Sequence, residues 1–199
     1  MRIVLPSRRT SQAVLALALC ATLAACSTPL TEPISGRTCC NLRTSGGWIS
    51  SNNTLGGSFI PAGEAVTIDT MKRAYYAYGT LGGDSYGFRD DSAKAAGDTL
   101  AWLRRIVVAQ DPRSRMAAWA PAVREAVAAG RVRPGMTREQ VAMALGYPSP
   151  NDTRDLDSPV WRYWTTVDDT PLELEFATNG TLSKVTGSAA GQALVVHQP

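Results

Sequence analysis

The chain has 199 residues, is 44% hydrophobic and 19% charged, and carries a formal net charge of +3. Arg2, Arg8 and Arg9 supply all of that excess, since residues 1–25 contain no acid; the rest balances 17 basic against 17 acidic residues and offers no broad electrostatic footprint for nucleic acid. The single histidine, His197, lies two residues from the end, which leaves the chain poor in acid–base and zinc-binding chemistry near neutral pH.

The three arginines precede an apolar run from Ala13 to Ala25, the charged head and short apolar core of a secretion signal. The run is shorter than the about 20 residues a membrane-crossing helix needs. It ends in Leu23-Ala24-Ala25-Cys26, which resembles the lipobox of bacterial lipoproteins, where the signal is cut before an acylated cysteine. The resemblance implies a signal peptide over residues 1–25 and acyl chains, palmitate among them, on Cys26. Ser27 in place of Asp points by the same resemblance to the outer membrane, with the folded part facing the periplasm. Several tens of buried methylenes at about 0.8 kcal/mol each make such an anchor permanent.

Residues 26–47 are rich in Ser, Thr, Pro and Gly and read as a flexible tether. Within them Cys39 and Cys40 are neighbours, their Cα atoms about 3.8 Å apart and closer than an ordinary bridge allows, so they read as thiols, reduced or variably oxidised. Residues 48–111 read as a small β-rich module. "WIS", "GEAVTID" and "RAYYAYG" are strand-like and bounded by Gly, Asn and Pro clusters. "PAGEAVTI" loosely resembles the opening of SH3-like barrels of cell-envelope proteins. "GTLGGDSYG" lacks the Gly-Lys-Ser/Thr ending of a phosphate-cradling loop and reads as a flexible hairpin loop, so no nucleotide cofactor is implied. Ala93, Ala96, Leu100 and Leu103 recur at helical spacing over residues 92–104, "IVV" reads as a short strand, and "QDPRSR" as a break.

A helix is expected from about Trp119 to Ala129, with Pro121 in its first turn and Gly130 as terminator. "GRVRPGMTREQVAMALGYP" then starts a second helix: Thr137 caps, Gln140 is its reciprocal partner, Met136 staples onto Val141, and Gly146 and Pro148 end it. "VWRYW" and "LELEF" alternate as strands, and Asn179-Gly180 is a hairpin signal. A tight turn there sets Glu175 opposite Lys184 and Leu174 opposite Val185, a charged pair on the wet face and an apolar pair on the dry one. Residues 111–150 carry six Arg against three acids and residues 151–199 three bases against seven acids, giving a basic helical side and an acidic sheet side. Residues 188–199 read as a frayed tail.

The order "GMTREQV", "LGYP", "WRYW", "LEFATNGTLSKVTG" over residues 118–187 resembles the SmpA/OmlA, or BamE-like, family of outer-membrane lipoproteins. The resemblance implies an α+β fold: two helices and a three-stranded antiparallel meander, here preceded by the β-rich module and its one helix. It also implies no enzymatic activity, no cofactor and no catalytic or metal-binding residue. The expected role is accessory, in outer-membrane protein assembly or envelope integrity, through contacts with the β-barrel assembly machinery or another envelope protein. The same layout resembles β-lactamase inhibitory proteins, which use a sheet face to cover an enzyme, so an inhibitor or ligand-capturing module is the alternative. Trp164, projecting opposite to Trp161 and Tyr163, is the candidate interface aromatic. A third reading assigns Arg131, Arg133 and Arg138, beside the helix start at Thr137, to anionic lipid headgroups. The acids between Asp152 and Asp169 lack the spacing of a calcium loop and read as solvated.

Overall fold

The computed structural model describes residues 27–198, so the signal segment and Cys26 lie outside the described residues. In chain order the elements are β1 (Thr28–Thr38), β2 (Leu42–Thr44), β3 (Trp48–Ser50), β4 (Ser58–Ile60), β5 (Ala65–Lys72), β6 (Tyr76–Leu81), β7 (Asp84–Arg89), α1 (Ala96–Ile106) and β8 (Val107–Val108). There follow α2 (Arg113–Met116), α3 (Pro121–Ala128), α4 (Arg138–Leu145), β9 (Val160–Tyr163), β10 (Leu172–Phe176), β11 (Leu182–Thr186) and α5 (Ala189–Val195).

The first sheet is built by alternation. Val66, Ile68 and Met71 of β5, Ala77 and Leu81 of β6, and Phe88 of β7 are buried, while Asp69, Thr80, Ser85 and Arg89 face water. The strands lie in the order β3-β7-β6-β5-β1-β8. "GTLGGDSYG" is far less of a loop than expected: only Gly82 and Gly83, at φ 62° and 98°, make the turn, and its flanks are the paired ends of β6 and β7. Two successive positive φ angles match the right-handed twist of the strands they join, which is why glycines occupy both places.

The tether expected over residues 26–47 is corrected by β1, which pairs antiparallel with β5 on one side and β8 on the other. Few large apolar residues mark it because it is held by backbone hydrogen bonds. Leu30 and Ile34 are the only side chains of β1 that pack partly into the core. At Gly36 a Cβ would come within 2.4 Å of the Val108 carbonyl oxygen, so close strand packing excludes a side chain there. Cys39 and Cys40 are not thiols of a linker: they are buried and joined by a disulfide.

The helix pair follows its local signals. Pro121 begins α3, and Gly130 at φ 63° ends its turn while the Arg131 N–H donates to the Ala126 carbonyl at 2.8 Å. At α4 the Thr137 N–H donates to Gln140 Oε1 at 2.9 Å and the Gln140 N–H donates to Thr137 Oγ1 at 3.3 Å. Met136 and Val141 are both fully buried, and Gly146 takes φ 81°. The meander has the order β11-β10-β9, with Leu174 opposite Val185 and Glu175 opposite Lys184 as expected. Its turn differs from the tight two-residue form. The Gly180 N–H donates to the Ala177 carbonyl, Gly180 alone takes positive φ, Phe176 pairs with Leu182, and Ser183 is an extra, bulged residue. That bulge absorbs the added turn residue, so the register beyond it is kept. The tail expected over residues 188–199 is likewise not frayed over its described part, 188–198. The Ser188 hydroxyl caps α5, Val195 is buried, and the Val132 N–H donates to the Val195 carbonyl at 2.8 Å.

The six-stranded sheet, the meander, the two-stranded sheet of β2 and β4 and the helices all contribute to one continuous hydrophobic cluster, and the chain between β1 and β2 crosses it. There the Asn41 side-chain amide, buried, donates to the Val127 carbonyl at 2.8 Å and the Ala144 carbonyl at 3.0 Å, and its oxygen accepts from the Ala62 N–H at 3.1 Å. Asn41→Ala strands the buried Ala62 N–H and Ala144 carbonyl at about 1–3 kcal/mol each, while the Val127 carbonyl keeps the Gly130 N–H at 2.9 Å, so a loss of about 2–4 kcal/mol is expected. Urea unfolding checks this; a midpoint within error of the parent protein means that the joint is not structural.

Candidate functional site

The turn between α3 and α4 carries the arginines singled out above. It is held from below by Arg43 of β2. The Arg43 guanidinium donates to the Gly130 carbonyl at 2.9 Å and lies 4.8 Å from the centre of the Phe59 ring. Burial lowers the Arg43 pKa from its ordinary value; the carbonyl and ring face replace part of the lost solvation, and the Arg43 Nε is buried without a partner. A side chain at position 130 would meet both Phe59 and Arg43, a second reason for glycine there. No local signal in the sequence marks Arg43, because its partners lie far along the chain.

The structure gives the three arginines three different surroundings. Arg131 donates to the Val196 carbonyl at 3.1 Å, tying the C-terminal segment to the turn. Arg138 donates to the Asp157 and Ser158 carbonyls at 3.1 and 3.0 Å and stacks 4.5 Å over the Phe176 ring, and its Nε is buried without a partner. It clamps the loop before β9 onto the meander. Arg133 is half-buried, and among the described residues its guanidinium has no hydrogen-bond or ion-pair partner. Only Arg133 thus offers a guanidinium that no backbone carbonyl occupies.

Trp164 projects opposite to the buried Trp161 and Tyr163, as the alternation requires, but it is half-buried and its indole N–H donates to Asp152 at 3.1 Å. Beside it on the outer face of the meander, Arg162 pairs with Glu173 at 2.6 Å. Asp155 and Asp168 accept from the backbone N–H groups of Asp157 and Thr170. Among the described residues no three His, Cys, Asp or Glu side chains gather as metal ligands. On the opposite side a depression of about 370 Å³ opens over Cys39 and Cys40, walled by Arg138, Met143, Leu156 and Trp161. Beneath the sheet, the Tyr163 hydroxyl donates to the Gly146 carbonyl at 2.8 Å, and burial pushes its pKa well above the ordinary tyrosine value.

Residues 123–185 match the family model described as Outer membrane protein assembly factor BamE domain, about a third of the chain. The match starts within α3 and ends within β11, so it takes in the helix pair and the meander and leaves out the six-stranded sheet. The C-terminal part is thus similar to an outer-membrane assembly factor domain, in the segment where "GMTREQV" and "LEFATNG" lie. No curated protein and no solved structure matches the chain.

Two measurements follow from these geometries. Arg138→Gln is expected to cost about 1–2 kcal/mol through the lost stack and carbonyl contacts, and Arg133→Gln less than about 0.5 kcal/mol. Denaturant unfolding of the two variants separates them, and equal effects refute the clamp. Tyr163 holds its proton more tightly when folded, so its stabilisation is complete below about pH 10 and is lost as pH rises, by up to about 1.4 kcal/mol per pH unit. The stability gap between the parent protein and Tyr163→Phe should therefore narrow between about pH 9 and pH 11; a constant gap means that the hydroxyl is not buried in solution.

Proposed function

We propose that this protein is a non-catalytic accessory of the outer membrane, tethered by acyl chains on Cys26, whose C-terminal part meets another envelope protein during outer-membrane protein assembly. The observation that carries the reading is the match of residues 123–185 to an outer-membrane assembly factor domain. The arrangement of that segment supports it. Its capping box, staple and buried rows are spent on holding two helices against a meander, and this leaves the outer sheet face and the α3–α4 turn as surfaces to be touched.

In this reading residues 1–25 direct secretion and are removed, the β-rich module expected over 48–111, extended by β1 from residue 28, stands between anchor and domain, and residues 118–187 engage the partner. Trp164, braced by Asp152, is the anchor offered to a protein. Any contact with an anionic headgroup falls to Arg133, because Arg131 and Arg138 are committed to carbonyls. The enzyme-inhibitor reading has no observation in its favour.

The test is crosslinking in intact outer membranes followed by pulldown of the full chain and mass identification. Subunits of the β-barrel assembly machinery are expected among the captured proteins, and their consistent absence overturns the assembly role. Cys26→Ser should move the protein from the outer-membrane fraction to the soluble periplasm; unchanged fractionation overturns the lipid anchor.

A further inference from the structure

The outer face of the six-stranded sheet carries a feature that the C-terminal domain does not explain. Trp48 is 38% exposed, and Trp48 and Val167 are the only exposed large hydrophobic residues among those described. The indole is not loose. It lies across β7 at Gly87, where a Cβ would come within 2.6 Å of its six-membered ring, and the Tyr76 and Tyr78 rings meet it edge-on at 5.6 and 5.7 Å. One side of the indole is thus taken by backbone and its position is fixed by two tyrosines.

Two open troughs meet at this ring. One, of about 490 Å³, runs past Thr44, Ser45, Thr54 and Thr166; the other, of about 440 Å³, runs past Thr80 and Ser85. Each falls within the size range of small-molecule clefts, and an occupant spanning both must cross the indole. Among the described residues these six hydroxyls have no side-chain hydrogen-bond partner, so each is free to donate and to accept.

The charges narrow the occupant. Arg43 and Arg89 border the first trough, but Arg43 is committed to the Gly130 carbonyl and the Phe59 ring, and Arg89 is paired with Asp91 at 2.6 Å; the second trough is bordered by the Asp69 carboxylate, which repels an anion and can accept from a ligand hydroxyl. The cleft therefore has no uncommitted cation to recognise a phosphate. Nor does it have the contiguous apolar area that a protein partner or a lipid tail would cover, because the exposed indole stands among hydroxyls. What remains is an elongated, uncharged, hydroxyl-rich ligand with an apolar face for the ring.

We propose that Trp48 is the stacking platform of a saccharide-binding cleft, which takes an extended glycan chain with one sugar ring on the indole and its neighbours hydrogen-bonded in the two troughs. This site lies on the β-rich module apart from Thr166, which the C-terminal segment contributes to the rim of the first trough, and it is independent of the assembly role proposed above. The full-length protein in detergent micelles is titrated with chitotetraose and with cellotetraose, followed by tryptophan fluorescence and calorimetry, and is sedimented with isolated peptidoglycan sacculi. Binding of at least one of these is expected, weakened about tenfold or more in Trp48→Ala and only a few-fold in Trp48→Phe, which keeps an aromatic face. Gly87→Val, which displaces the indole, should weaken binding like Trp48→Ala. Because the indole packs on Gly87 and two tyrosines, Trp48→Ala is expected to unfold a few degrees lower but still in one cooperative transition, well above the titration temperature, which separates lost binding from lost folding. No binding to any of the three probes, or undiminished binding by a folded Trp48→Ala protein, overturns the proposal.

Discussion

The fold turns on one carboxamide. Asn41 stands where the chain leaves the six-stranded sheet, and its three hydrogen bonds reach the end of α3, the end of α4 and the segment before β5. A buried amide of this kind tolerates neither a missing partner nor a shifted one, because every polar atom left alone in a core loses its solvation without return. It therefore fixes how the helix pair sits on the N-terminal sheet, and not merely that the two are apposed. Hydrophobic burial drives them together, but burial is non-directional and would accept several arrangements.

Around that joint the contacts repeat one theme, in which a side chain from one part of the chain satisfies a carbonyl at the end of a helix or loop in another. Arg43 does so at Gly130, Asn53 at Leu145 and Tyr147, Tyr163 at Gly146, and Arg131 at Val196. The last carbonyls of a helix have no partner within it. In an isolated helix pair they would face water; here the N-terminal module and the C-terminal segment cover them. The helices and meander resembling an assembly factor domain are thus completed by residues outside the matched segment, so the described chain before the match is part of the fold and not a spacer.

The same economy separates structural arginines from available ones. Charge counting makes the α3–α4 turn a basic patch, yet a guanidinium with several donors is also the best available partner for an orphan carbonyl, and two of the three candidates serve that purpose. The recognition surfaces proposed above consequently rest on aromatic side chains: Trp164 braced on the meander and Trp48 laid across Gly87.

Features that depend on near neighbours could be read directly from the sequence. The Thr137–Gln140 box, the Met136–Val141 staple, the glycine stop at Gly146 and the pairing of Glu175 with Lys184 each involve residues no more than about ten positions apart, and their chemistry is local. The resemblance over residues 118–187 rests on the same segments. The placement of β1, the disulfide between Cys39 and Cys40, the docking of α5 and the roles of Asn41, Arg43 and Arg138 came only from the tertiary structure. Asn41 finds its partners 86 and 103 residues away, and Arg43 finds Gly130 87 residues away. A strand such as β1, stabilised by backbone pairing to β5 and β8, needs no hydrophobic pattern of its own, so its sequence looks like a linker. Local rules decide which elements form; which polar groups they leave unsatisfied, and what comes to satisfy them, is settled only when the whole chain has packed.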